Sequence, residues 1–375
     1  MRKHILLVSI VYVLLGCQGK KPKEEVPQEK ITIKHAQGFQ VNVFDGYKVI
    51  EVLSPWPEAT NTFKYLLIED RKKAPKIDTY DAVVEIPVER IVVTSTTHIP
   101  TLEALGVEKN LVGFPDTKYI SSEKTRNNIK NGKIKELGVN EGINTEILID
   151  LQPDVVIGFS INDQNKSYET ITKSGIPVIY NGDWTEKTPL GKAEWIKFFA
   201  PFFNAEHKAD SIFNSIESEY IKTKKIAKKA TSKPTVLSGA LYKDIWYLPA
   251  GESWAAQFIT DANADYLWKN SKGTGSLYLS FESVLEKGIN ANFWIGPAQF
   301  TSYEEMITAN RHYDQFDAFN KKRVYTFSAT RGETGGVLYY ELAPNRPDIV
   351  LKDLVRILHP ELFPEYNPFF FKPLK

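Results

Sequence analysis

Six histidines could ligate a metal or shuttle a proton: His4, His35, His98, His207, His312 and His359. None stands at metal-ligand spacing, and no His-Glu-x-x-His pair occurs. No Gly-x-Ser-x-Gly elbow presents a nucleophile, and there is no Walker loop. Gly273-Thr274-Gly275 lacks the third glycine of a dinucleotide loop and follows no strand, so it reads as a flexible turn. Two carboxylates can meet in space from anywhere in the chain, which keeps a secreted α/β hydrolase as a rival reading. Tyr339-Tyr340 offers two phenolates to ferric iron, but beside Val337 and Leu338 the pair reads as helix packing. The single Cys17 excludes a disulfide framework and a Cys-rich metal or iron–sulfur site. What remains is flat surface: 7 Trp and 18 Tyr supply faces for stacking on a ligand as well as for cores. The chemistry on offer is therefore binding, with no catalytic residue, cofactor or protein-held metal implied.

Export explains the lone thiol. Arg2 and Lys3 precede an apolar run, Ile5 to Leu15, that is too short at 11 residues to span a bilayer. The run ends in Leu14-Leu15-Gly16-Cys17, which resembles a bacterial lipoprotein signal (residues 1–16) cleaved before a lipidated Cys17. Residues 17–30, rich in Lys, Glu, Pro and Gln, read as a lipid-anchored tether. The expectation is an exported bacterial envelope protein facing the periplasm. Lys+Arg 47 against Asp+Glu 46 gives a net charge of +1, with no basic footprint for nucleic acid.

The elements that must position the binding residues follow from periodicity. With 375 residues the chain is long enough for two cores. Ile31–Ile33, Phe39–Phe44, Tyr47–Leu53 and Tyr65–Ile68 are β-rich and read as hairpins decorating the next domain. From Glu89, apolar strands alternate with helices: Ile91–Val93, Leu111–Gly113, Val155–Ile157 and Ile176–Tyr180 between helical Ile99–Leu105, Thr145–Leu151 and Tyr168–Lys173. Continuous apolar strands between helices predict a parallel sheet covered on both faces. Leu190–Ala230 carries no strand pattern and reads as a long helical segment, split by Pro201 with Asn204 as the next N-cap. Strands resume at Thr235–Leu237, Ile245–Tyr247, Phe293–Ile295 and Val324–Phe327. Helices follow around Ala255–Phe258, Phe281–Glu286, Tyr303–Phe316 and Ile349–Leu358. The fold class is α/β: two lobes with mostly parallel sheets joined by a long interlobe helix, plus N-terminal β-hairpins. The boundaries are 31–190 for the first lobe (β-rich extension 31–85), 191–232 for the helical segment and 233–375 for the second lobe. Glu146 and Glu282 echo each other, each opening a short helix before a strand that ends Ile157-Gly158 or Ile295-Gly296.

On this frame several segments become specific. Pro87–Val93, Leu102–Gly106 with Leu111–Gly113, Thr145-Glu146 with Leu151–Ile157, Trp246–Trp254, Ser280–Leu285, Arg346–Asp348 and His359–Glu361 run in order. They resemble the periplasmic binding proteins that serve ABC importers of iron–siderophores and cobalamin. The resemblance covers residues 86–364 and leaves 31–85 outside, and Asn290-Ala291-Asn292 departs from the Pro-Asp expected before the strand. It implies a monomeric two-lobed clamp that carries a metal chelate, foremost a ferric siderophore, with cobalamin or haem as the alternative. Its partners would be the permease with its ATPase, and the membrane through the lipid anchor. By position, Glu146 and Glu282 would dock one lobe each on the permease. Ligand contacts are expected after the strands. In the first lobe these are Thr96, Thr97, His98, Phe114, Tyr119, Ser160, Asn162, Asn181, Asp183 and Trp184. In the second they are Tyr242, Trp246, Trp254, Phe300 and Arg331.

Overall fold

The computed structural model describes residues 27–140, 142–162 and 164–375. The signal, Cys17 and most of the tether lie outside the described residues. Strands β1 (Glu29–Lys30), β2 (Phe39–Phe44), β3 (Tyr47–Val52), β4 (Phe63–Ile68) and β5 (Ala82–Glu85) form one sheet in that order. It is antiparallel except for β5, which runs parallel to β4. Asp45-Gly46 turns β2 into β3, with Gly46 at φ +86° where a side chain would be strained. The first strand falls just before the expected Ile31–Ile33, so the last residues assigned to the tether are already paired.

The first-lobe sheet follows. It contains β6 (Ile91–Val93), β7 (Leu111–Phe114) and β8 (Lys135–Glu136), then, beyond a small hairpin of β9 (Gly138–Val139) and β10 (Gly142–Ile143), β11 (Val155–Gly158) and β12 (Val178–Tyr180). The order is β12-β11-β6-β7-β8, all parallel. Helices α1 (His98–Leu105), α2 (Glu123–Lys130), α3 (Thr145–Leu151) and α4 (Lys166–Lys173) accompany it. Side-chain alternation divides the strands between two cores. Val92, Val156 and Val178 pack with Leu148 of α3 and Ile171 of α4. Ile91, Val93, Ile157 and Ile179 pack in one cluster with Phe39, Val41, Ile50, Tyr65 and Leu67 of the N-terminal sheet. That sheet is therefore a structural layer sharing the lobe's core, where hairpin decoration was expected. Tyr65 also accepts the amide of Tyr180 at 3.0 Å and so blunts the edge strand β12.

Helices α5 (Pro189–Glu194), α6 (Ile196–Phe199) and α7 (Glu206–Ala227) cross between the lobes. The break falls at Pro201, as its missing N–H requires. Asn204 is not the cap: it takes a left-handed φ of 52° one residue before Ala205, which holds the cap position. The 22 residues of α7 span about 33 Å at 1.5 Å per residue.

The second lobe has β13 (Thr235–Ser238), β14 (Ala240–Tyr242), β15 (Ile245–Pro249), β16 (Asp265–Tyr266), β17 (Ser276–Leu279), β18 (Phe293–Ile295), β19 (Val324–Thr326) and β20 (Lys372–Pro373). Its main sheet runs β16-β13-β18-β19-β20, parallel but for β20. An antiparallel ribbon, β14-β15-β17, stands beside it. The chain passes from one to the other at Gly239, φ +76°, where a Cβ would lie 1.8 Å from the Tyr247 carbonyl oxygen. Helices α8 (Trp254–Asp261), α9 (Phe281–Gly288), α10 (Tyr303–Ala309), α11 (Asp317–Asn320), α12 (Leu338–Leu342) and α13 (Pro347–Leu358) complete the lobe. The helix expected over 303–316 stops at Ala309, where Asn310 turns extended and caps a short 3-10 turn. Among the described residues no helix is long and apolar enough to cross a membrane.

Candidate functional site

In parallel sheets, helices bring the chain back, so side chains that need not pack gather at the carboxyl ends of the strands. Here those ends are Thr94–Thr97, Phe114–Tyr119, Phe159–Asn162 and Asn181–Trp184 in one lobe. In the other they are Gly239, Gly296–Phe300 and Phe327–Arg331. Three adjoining hollows lie among them. One, of about 400 Å³, is lined by Gly239, Tyr247, Trp254, Phe327 and Tyr340. A second, of about 390 Å³, lies between Thr96, Phe114, Tyr119 and Phe159 of the first lobe and Val337 and Tyr340 of the second. The third, of about 540 Å³, joins Trp184 and Lys192 to Trp254 and to Ser54 and Pro57 of the N-terminal sheet. Tyr340 is shared by the first two hollows and Trp254 by the first and third, so two aromatic rings connect the row.

Several expected residues lie in this row: Thr96, Phe114, Tyr119, Trp184 and Trp254. Thr97 and Asp183 stand just behind it, the Thr97 hydroxyl donating to the Asp183 carboxylate at 2.9 Å. Tyr242 is exposed on the ribbon, on the same face as Tyr247 and Tyr278, whose rings contact each other at 5.2 Å.

Others are placed elsewhere, each for a local reason. Trp246 is 0% exposed: its ring stacks on Trp294 at 5.3 Å and its indole N–H donates to Ser238 O. A ligand finds no face there. His98 is likewise 0% exposed against Phe199, and burial holds its imidazole pKa below the ordinary value. Ser160 is buried and its hydroxyl donates to Asn162 O, while the Asn162 carboxamide caps the Gln164 amide, so both serve their own loop. Asn181 is buried and accepts the Asp183 amide. Phe300 packs on Tyr313 in a separate hollow with Glu304 and Glu305. The Arg331 guanidinium donates to Ser328 O and Gly335 O and borders another hollow between the lobes, beside Glu103 and Glu341.

Reading the Tyr339-Tyr340 pair as helix packing holds for Tyr339 but not for Tyr340. It stands next to Tyr339 on α12, and neighbours in a helix point about 100° apart. Tyr339 stacks on Phe327 at 4.3 Å and is buried, whereas Tyr340 is 59% exposed in the cleft.

The residues Arg331–Glu341 form a strap from the second lobe onto the first. The buried Glu341 carboxylate accepts the amides of Ser121 (2.6 Å) and Ser122 (2.9 Å) at the start of α2. Burial pushes its pKa up to about 7, and the nearby Glu103 carboxylate adds to the rise against the two amides. Gly336 O accepts the Ser121 hydroxyl, and Lys130 pairs with Glu333 at 2.6 Å.

Glu146 and Glu282 are both exposed, in the first turns of α3 and α9. Asn144 and Ser280 cap these helices. Each helix precedes a parallel strand, so its first turn lies at the carboxyl end of its sheet. Neither carboxylate makes an ion pair among the described residues.

Comparison with known proteins agrees with this architecture. The profile of the periplasmic binding protein family matches residues 91–330. An uncharacterized lipoprotein of Methanocaldococcus jannaschii is 28% identical, over 98% of this chain and 94% of its own length. A possible iron-binding (periplasmic solute-binding) protein of Staphylococcus epidermidis has a similar fold: TM-score 0.58, 19% identity, 73% of this chain and 99% of the neighbour. So does a periplasmic haem-binding protein of Vibrio cholerae, with TM-score 0.55, 18% identity, 70% of this chain and 99% of the neighbour. The chain belongs to the periplasmic binding protein family and is a binding protein, not an enzyme. The N-terminal sheet precedes the matched family region, while the match to the lipoprotein relative spans nearly the whole chain.

Proposed function

We propose that the protein is the lipid-anchored solute-binding component of an ABC importer and that it captures a metal chelate, foremost a ferric siderophore. The supporting observation is the row of rings along one cleft between the carboxyl ends of two parallel sheets: Tyr119, Tyr340 and Trp184, which are exposed, and the half-buried Trp254. Flat rings on both sides suit a ligand that brings its own metal ligands and offers planar faces. The same surface suits a corrin or a porphyrin, which keeps cobalamin and haem as the second reading. Cys17 would carry the lipid and hold the protein at the cell envelope. Glu146 and Glu282 would each seat in a cationic pocket of the permease, giving register as well as affinity.

The absorbance of protein purified from its native envelope tests the ligand: catecholate iron, corrin and haem have different visible spectra. A colourless preparation that binds none of the three on addition would overturn the reading. Docking is tested with the double variant Glu146→Lys, Glu282→Lys. Ligand binding should persist, because exposed helix-start substitutions cost little. Uptake should fail, because like charges then meet at both contacts; normal uptake would remove the two residues from docking.

A further inference from the structure

The N-terminal sheet is fixed to the rest of the protein through five consecutive main-chain amides. Glu194, buried on α5, accepts those of Lys34 (2.9 Å), His35 (2.6 Å) and Ala36 (3.0 Å). Glu186 accepts those of Gln37 and Gly38, both at 2.8 Å, together with the Trp195 indole N–H. The loop after β3 is held just as closely. A Cβ on Gly182 would stand 2.2 Å from Ser54 O, and the Trp56 ring meets Tyr180 edge-on at 5.3 Å. This places Ser54 and Pro57 at the carboxyl end of β12, on the rim of the third hollow.

Inside that hollow Lys192 is incompletely satisfied. Its ammonium donates to Asp183 O at 3.0 Å and Trp184 O at 3.2 Å, and stands 5.4 Å from the centre of the Trp254 ring in the other lobe. Among the described residues the third N–H has no acceptor, and no carboxylate lies within 4 Å. The nearby acids already have donors: Asp183 takes Thr97, and Glu186 takes Gln37, Gly38 and Trp195. Lys187 and Glu58 face the same hollow from its exposed rim. A half-buried ammonium with an open donor, beside the Trp254 indole, is a place for an acceptor that carries charge.

We propose that the N-terminal sheet is the third wall of the ligand cleft, and that the hollow it closes takes a planar, anionic substituent of the chelate. Its carboxylate or equivalent oxyanion would sit on Lys192, and its carbon frame between Trp184 and Trp254. This rests on the chelate reading above and adds to it a charge and a location. The family region alone, which begins at residue 91, would leave this side of the cleft open.

The test is calorimetric titration of the full chain and its variants with three probes: haemin, a ferric tris-catecholate and cyanocobalamin. One of the two anionic chelates should bind, and Lys192→Met and Trp184→Ala should each weaken it by roughly tenfold or more, as for a lost charge-assisted contact. Trp184 lies partly exposed, so its variant keeps the test open if Lys192→Met fails to fold. Tyr340→Ala, in the neighbouring hollows, separates the two claims. An anionic probe weakened by Tyr340→Ala but unchanged within about twofold by both other variants overturns the third wall and leaves the chelate reading standing. Binding of uncharged cyanocobalamin alone overturns the anionic subsite and likewise leaves that reading. Failure of all three probes to bind removes both.

Discussion

Among the buried glutamates that grip main chain from another part of the protein, Glu194 and Glu341 differ in what stands beside them. Glu194 holds the N-terminal sheet, and the Lys197 ammonium lies 3.1 Å from its carboxylate. Lys197 in turn reaches Asp210 and Thr32 O. Glu341 holds the start of α2 from across the lobe junction, and the charge that acts on it there is another acid, Glu103. Glu103 already accepts the hydroxyls of Ser122 and Thr125. The same device thus has two characters. A carboxylate with a counter-ion makes a lasting attachment, whereas one that faces a like charge makes an attachment that protons control.

Removing the neutralised clamp should have the largest effect. Glu194→Ala leaves three amides without their acceptor and takes from the buried Lys197 its buried counter-ion, leaving it Asp210 and Thr32 O, so it should cost about 3–5 kcal/mol. Denaturant unfolding measures the loss, and amide exchange at Lys34–Ala36 should accelerate with it. A variant as stable as the parent would show that the grip on the sheet is dispensable.

The other clamp should reveal itself through pH. Glu341 has its pKa raised to about 7 from 4.5 by burial, so the latched state binds more protons than a state in which this carboxyl is solvated. Its contribution is fully present below pH 4.5 and is lost as pH rises through 7. The difference is at most about 3 kcal/mol at 1.36 kcal/mol per pKa unit. Unfolding free energies between pH 4.5 and 8 should fall in the parent relative to Glu341→Gln, which cannot titrate. Parallel profiles would mean that Glu341 stays ionised in its site.

The strap also depends on close approach of main chain. A Cβ at Gly332 would lie 2.5 Å from the Ser121 Cα, so Gly332→Ala must push the strap away, at about 1–3 kcal/mol. The smallest change belongs to an exposed side chain of the N-terminal sheet's loop. Glu58→Ala at the rim of the third hollow should move stability by no more than about 0.5 kcal/mol, read by the same unfolding curves.

Much of the fold was legible because it follows local periodicity. The strands at Phe39–Phe44, Ile91–Val93 and Phe293–Ile295 and the helix at Thr145–Leu151 sit where the pattern places them. The break at Pro201 follows from a missing N–H. The ribbon β14-β15-β17 was only partly legible, since Ser276–Leu279 alternates between exposed and half-buried side chains over only four residues. In the cleft, the aromatic residues could be named but not sorted. Trp246 and Trp254 differ by eight positions and belong to the same motif, yet one is core and the other lines two hollows.

By itself the sequence determined the alternation of strands and helices, the two lobes around a long helix, and a supply of flat side chains with no catalytic constellation. Those properties depend on residue type and spacing along one chain. Only the tertiary structure decided which rings face the cleft. It also made the N-terminal sheet part of a core, set Glu194 beside a cation and set Glu341 beside an acid. Exposure, contact and the field at a carboxylate all depend on residues far apart in sequence: Lys34 meets Glu194, and Ser121 meets Glu341, only after the chain has folded.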